Sequence, residues 1–424
     1  MLATLSMAAL ISSCNLNPSV DQSRVTYTNE TLSLVDINDA SAYSTTAKAL
    51  KGGTAKAKPE VPGGATITLV ADVAPPSSAA GDTLQASHIF LSPDAKTAFV
   101  SYMLQGAQVS GGLDVFDISN PKHPQLKYSQ LFPDFDVAVV QADANTIYLG
   151  GQKIDESGNG NSAYILRIPY SKSGGLDMSK TTQTSLAGYF ATDLFLTESA
   201  LYVTTGTASS SQPNVGLFVL DPNTLTIDEQ KTDSYPDLRS VAMQSSNVAV
   251  FEAATTSPII TNTRVDIYKN GDLSNPANLT SVDLSAYPPD AEAKDKMEYY
   301  SNKTIFVATN RNGVVIVDAA DGTIQGSVPA PALASIDLAN QTSNAVSSGN
   351  TGKKDLIYIA NGEAGLWVGD ASALEDQTDD STANIAGTIR FNAEESVNYV
   401  VSKSSTVICA SGLGGIKILD ISAK

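Results

Sequence analysis

Hydrophobic positions along the 424-residue chain come in short runs rich in Val, Ile, Tyr and Phe, separated by clusters of Gly, Asn, Asp and Ser. Runs of that length and composition, bounded by turn residues, predict strands, and no convincing helical periodicity interrupts them. One run repeats: "GGLDVFDIS" at Gly111, "VGLFVLDPN" at Val215, "NGVVIVDAA" at Asn312, "AGLWVGDAS" at Ala364 and "GGIKILDIS" near the end. The aspartates closing these runs are Asp117, Asp221, Asp318, Asp370 and Asp420, spaced 104, 97, 52 and 50 residues apart. A period of about 50 with two copies lacking the aspartate fits, and "SAYILRIPYS" near Tyr164 and "TRVDIYKNG" near Val265 stand where those copies belong.

Two further strands precede each copy. The nearer is an apolar-aromatic-aliphatic run such as "TAFVS" at Thr97, "TIFVA" at Thr304 and "TVICA" at Thr406. The farther is read as "HIFLS" at His88, "DVAVV" at Asp136, "DLFLT" at Asp193, "RSVAM" at Arg239, "EYYSN" at Glu298, "DLANQ" at Asp337 and "NYVVS" at Asn398. A fourth strand follows the closing aspartate, as in "QLKYSQLF" from Gln125. Four strands per unit and seven units predict an all-β, seven-bladed β-propeller over residues 65–424. The seventh unit shows only three strands, so "ATITLVADV" from Ala65 to Val73 is expected to pair beside the last strand and close the ring. Each closing aspartate is expected to accept backbone N–H bonds in the turn that leaves its strand.

Residues 1–14 read as a signal peptide ending at a lipid-modified Cys14, because "MLATLSMAALISS" is an apolar run too short to span a bilayer. A cleaved signal with an incidental cysteine is the alternative. Residues 15–64 are expected to form a flexible tether, because Ala40 to Gly64 is rich in Ala, Ser, Thr, Lys and Gly, with "TLSLVDIND" at Thr31 the one stretch that could begin an eighth blade. The other cysteine, Cys409, lies in an apolar run, so neither a disulfide nor a cysteine-based metal cluster is expected. A formal charge of −18 argues against nucleic acid or an anionic lipid surface as a partner and leaves cations, basic proteins and neutral glycans.

The stretches "GGLDVFDISNPKHPQL", "NGVVIVDAADGTIQGSV" and "GGIKILDIS" resemble the LVIVD-repeat family of bacterial cell-envelope proteins. The resemblance covers residues 84–424; blades two and four depart from it at Ile168 and Tyr268. It implies a propeller and, as for many members, a lipoprotein of the bacterial envelope, but no single activity. A WD40 protein would show a Trp-Asp pair in each blade, whereas the one tryptophan here is Trp367.

In a propeller the first strand of each blade lines the axis. The aligned starts of those strands are all polar: His88, Asp136, Asp193, Arg239, Glu298, Asp337 and Asn398. Converging on one axis, they would form a site for a cation or a hydroxyl-rich ligand with oxygen donors suited to Ca²⁺. The competing reading is structural, each side chain capping its strand or bonding a neighbouring blade. Asp155, Ser157 and Asn159 in "DESGNGN" follow the opening of a calcium loop, although Leu166 stands where its bidentate acid would fall and a plain hairpin turn accounts for the stretch. With only His88 and His123 present, a serine triad or a histidine metal site is not expected. The enzymatic alternative is a calcium-dependent, lactonase-like hydrolase using the axial carboxylates and His88. The preferred expectation is a monomeric, non-catalytic binding or scaffolding propeller, lipid-anchored on the periplasmic or surface side of the envelope, that holds a protein or glycan over the channel mouth or a loop face. Insertions at Thr342 and Glu252, read as second-to-third-strand loops, would enlarge that face.

Overall fold

The computed structural model describes residues 20–38, 59–154, 161–173, 175–207, 215–232, 237–253, 263–288, 294–375, 384–392 and 395–422. Seven antiparallel sheets, each built on four strands, form a seven-bladed β-propeller. Blade one shows the plan: Gln85–Leu91, Thr97–Met103, Gly111–Asp117 and Gln125–Phe132 pair in sequence order. Second and third strands are apolar and buried on both faces, as in Thr304–Ala308 and Val314–Asp318, because each blade is sandwiched between two others. Separate apolar clusters lie between adjacent blades, so the core is a ring of interfaces rather than one central mass.

Four of the five closing aspartates act as expected. Asp117, Asp221 and Asp318 accept the N–H of Ser119, Asn223 and Ala320 at 3.0, 2.7 and 2.7 Å, and Asp370 accepts that of Ala373 at 3.2 Å. The glycine ahead of the third strand has its own reason. At Gly313, Gly365 and Gly415 the backbone is left-handed (φ 88, 89 and 72°), and a Cβ would fall 1.9, 2.4 and 2.0 Å from the carbonyl of Val328, Ile389 and Val73 on the fourth strand. Only glycine supplies both the φ and the close approach.

The ring closes as the repeat count predicts. Two N-terminal strands matter here: β1 (Val25–Leu32) and β2 (Thr66–Val73). β2 pairs antiparallel with Ile416–Ser422 from Thr66 opposite Ser422 to Val73 opposite Ile416. β1, which falls inside the expected tether, is itself ordered as a fifth strand on β2, with Val25 opposite Val73 and Leu32 opposite Ile67. The chain then bridges to blade six, where Val35 pairs with Thr388, so "TLSLVDIND" begins no eighth blade. On the other side Arg24 makes an ion pair with the fully buried Asp114 of blade one, and Tyr27 Oη donates to the Pro124 carbonyl at 2.8 Å. Residues 20–38 thus strap blades one, seven and six together.

Blade six corrects one reading. Asp337 does not start its first strand; it is an exposed N-cap, accepting the Ala339 N–H at 2.9 Å ahead of a short 3-10 turn, Leu338–Asn340. The first strand is Ala345–Asn350, inside the stretch expected to be an insertion. Asx capping outweighed the weak strand pattern of "DLANQ", and "AVSSGN" was concealed by small polar residues that face a packed neighbour.

Candidate functional site

The first strands surround a channel cavity of about 260 Å³. Three of the seven expected residues, His88, Asp193 and Glu298, line it. The other four point elsewhere. Asp136 is buried beside blade one, accepting the Ser110 N–H at 2.9 Å and Gln152 Nε2 at 2.8 Å. Arg239 pairs with Asp237 at 2.7 Å, Asn398 accepts a hydrogen bond from Ser396 Oγ at 2.7 Å, and Asp337 is the turn cap already described.

Pairing with the second strands explains the dispersal. Ser101, Gly150, Thr204, Phe251 and Ala410 face His88, Val139, Asp193, Ser240 and Tyr399. The true ring position is therefore shared by His88 and Asp193 alone among the candidates. Four first strands carry a bulge, at Ser87, Ala138, Thr192 and Arg239, which the repeat pattern does not register. One extra residue moves a side chain to the opposite face.

Two lysines absent from the sequence expectation organise the axis. Lys296, buried, pairs with Asp193 Oδ1 at 3.0 Å and donates to the carbonyls of Thr192 at 2.5 Å and Arg239 at 3.3 Å. Lys294, two residues earlier, donates to the Ser87 carbonyl at 2.5 Å. Three bulge carbonyls thus receive ammonium groups from blade five. Asp193 Oδ2 additionally accepts Ser240 Oγ at 2.7 Å and the Val241 N–H at 3.1 Å. The alternation "KDK" ahead of a strand was the available signal, because a ring of carboxylates needs a counter-charge.

The electrostatics follow from burial. Lys294 is pushed down to about 7 by burial, with Lys296 adding repulsion. Burial also lowers Lys296, against the pull of Asp193. His88 is held well below its ordinary value by burial and the two ammonium groups, so it is neutral; its ring lies 4.2 Å from that of Tyr399. Glu298 is raised by burial, offset in part by Ser348, whose N–H and Oγ donate to it at 2.8 and 2.5 Å. This arrangement does not fit a calcium centre. Ammonium groups already sit on the acceptors a cation would use, and among the described residues no group of three His, Cys, Asp or Glu side chains could hold a metal. His88 and Asp193 share the channel cavity, and Asp136 does not reach it. Asp155, Ser157, Asn159 and Cys14 lie outside the described residues.

Sequence reasoning also missed a buried charge cluster in blade four. Arg264 pairs with Glu252 at 2.9 Å and with Asp266 at 3.2 Å, near the Arg239–Asp237 pair. Burial pushes Glu252 up to about 8 and Asp237 up to about 6, in each case against a neighbouring guanidinium.

On the opposite face, where first strands turn into second strands, blades one to three enclose a groove of about 800 Å³. Phe90, Gln141 and Phe195 line both this groove and the channel cavity, so the two adjoin.

Comparison with known proteins agrees with the architecture. Residues 107–131 match the LVIVD repeat. Two solved propellers are similar: "Structure of U3-55K", at 10% identity and a TM-score of 0.53, over 81% of this chain and 100% of that one, and "Crystal structure of RRP9 WD40 repeats", at 10% identity and a TM-score of 0.53, over 82% and 99%. At that identity the likeness is one of fold. No curated protein matches.

Proposed function

We propose that this chain is an envelope-anchored lipoprotein whose propeller is a non-catalytic binding or scaffolding module for a protein or glycan partner. The observation that carries the reading is that the first-strand carboxylates are satisfied from within the protein. On the axis Asp193 is paired with Lys296 and Glu298 accepts from Ser348, while Asp136, off the axis, accepts from Gln152 and Ser110, so these polar groups are engaged in holding strands and blades together. What a closed ring offers instead is two broad faces of turns and strand ends on a rigid frame. Anchoring is supported by the apolar run that leads into Cys14.

Expression in a bacterial host fed a clickable fatty-acid analogue tests the anchor: the parent protein should be labelled and the Cys14→Ala variant should not. Photo-crosslinking of the parent in intact cells should then yield discrete adducts. Absence of both label and adducts would overturn the proposal, and hydrolysis of lactones that is lost in Asp193→Asn would overturn its non-catalytic part.

A further inference from the structure

We propose that the groove across blades one to three is a docking site for a peptide segment of a partner protein, an apolar side chain flanked by lysine or arginine. The inference rests on the binding-module reading and names its surface and the chemistry of its partner.

The walls are aromatic. Phe90, Phe99, Tyr148, Tyr170 and Phe195 line the groove, with Phe90 and Phe195 half-buried at its floor. Phe99 and Tyr170 pack edge to face with centroids 5.7 Å apart, and Tyr148 Oη is committed to the Pro222 carbonyl at 2.9 Å, so the walls are held in place. The volume of about 800 Å³ falls in the ~300–1,000 Å³ range of pockets that accept a ligand. Half-buried aromatics in a fixed, concave setting are what an apolar anchor residue fills.

The rim selects the charge of the occupant. Asp94, Asp143 and Glu198 are exposed on the three hairpin turns that border the groove, and Lys172, 3.5 Å from Asp94, is the one cation among the described residues that line it. The surplus is acidic, in a chain of net charge −18. Basic residues beside the anchor would complement that rim and steer encounter, whereas acidic ones would be repelled. A glycan is the weaker match, since the wall hydroxyl of Tyr148 is already bonded and Phe99 and Tyr170 are packed edge to face on each other rather than side by side as a stacking platform.

The test is fluorescence anisotropy of the full-length protein with labelled peptides having a Leu-Phe-Leu core flanked by Lys-Lys, Ser-Ser or Glu-Glu. The Lys-flanked peptide should bind at least about tenfold more tightly than the Glu-flanked one and weaken as salt is raised. Phe195→Ser should abolish binding. Glu198→Lys, on an exposed turn, should weaken it several-fold with an unchanged melting temperature, so a folding defect cannot imitate the result. Equal binding of all three peptides, no binding by any, or indifference to Glu198→Lys would overturn the proposal. So would a chito-oligosaccharide that binds with the same dependence on Phe195. If crosslinked partners form in cells while every peptide fails, the groove assignment falls and the binding-module reading stands; if no partner forms, the reading itself falls.

Discussion

If the axis is held by its own ammonium groups, Lys296→Met should be costly in a specific way. The methionine keeps most of the volume and removes the charge, taking away the ammonium that Asp193 Oδ1 pairs with at 3.0 Å and that the carbonyls of Thr192 and Arg239 accept from. Removing one member of a buried pair costs about 3–5 kcal/mol. Asp193 still accepts Ser240 Oγ, the Val241 N–H and the Leu194 N–H, which places the loss at the lower end, about 3 kcal/mol. Urea unfolding followed by tryptophan fluorescence of Trp367 reads this as a drop in midpoint. Combining the change with Asp193→Asn should cost less than the two single losses together, a coupling of roughly 1–3 kcal/mol. A variant as stable as the parent, or losses that simply add in the double variant, would refute the claim that Lys296 acts as a built-in cation.

The buried Glu252 gives a pH signature. Its pKa of about 8 in the fold, against 4.5 ordinarily, means the folded state holds a proton that the unfolded state has released between those values, so stability falls as pH rises through that window, by at most about 1.4 kcal/mol per pH unit. Glu252→Gln should flatten that slope in urea midpoints measured from pH 5 to 8; an unchanged slope would assign it to other groups, Asp237 first. Arg24→Ala should destabilise by about 3 kcal/mol because Asp114 is left buried and uncompensated, while Arg24→Ala with Asp114→Ala should recover part of that loss; additive losses would count against the strap. Gly415→Ala, whose Cβ would meet the Val73 carbonyl at 2.0 Å, should lower the melting temperature and speed amide exchange in β2 before other strands, and normal protection in β2 would be the contrary result.

What could be read from the sequence divides along a physical line. Blade number and closure were legible because they rest on whole apolar runs repeated at a fixed spacing, and such runs survive the insertion of a residue. The aspartate that closes five of the seven third strands was legible for a related reason: local backbone geometry demands it, as in the Asx turn at Asp318. The axial ring was not legible, because membership depends on register to a single residue. The bulges at Ser87, Ala138, Thr192 and Arg239 displace that register in four of the seven first strands without any composition signal. Those bulges also explain what occupies the axis. Three of the displaced residues, Ser87, Thr192 and Arg239, present carbonyls that accept the ammonium groups of Lys294 and Lys296. A backbone irregularity in blades one, three and four is thus matched by two side chains from blade five, and the cation the carboxylates required is covalently part of the chain. The consequence is that the axis serves as a fastener, while the aromatic groove of blades one to three stays open on the hairpin-turn face.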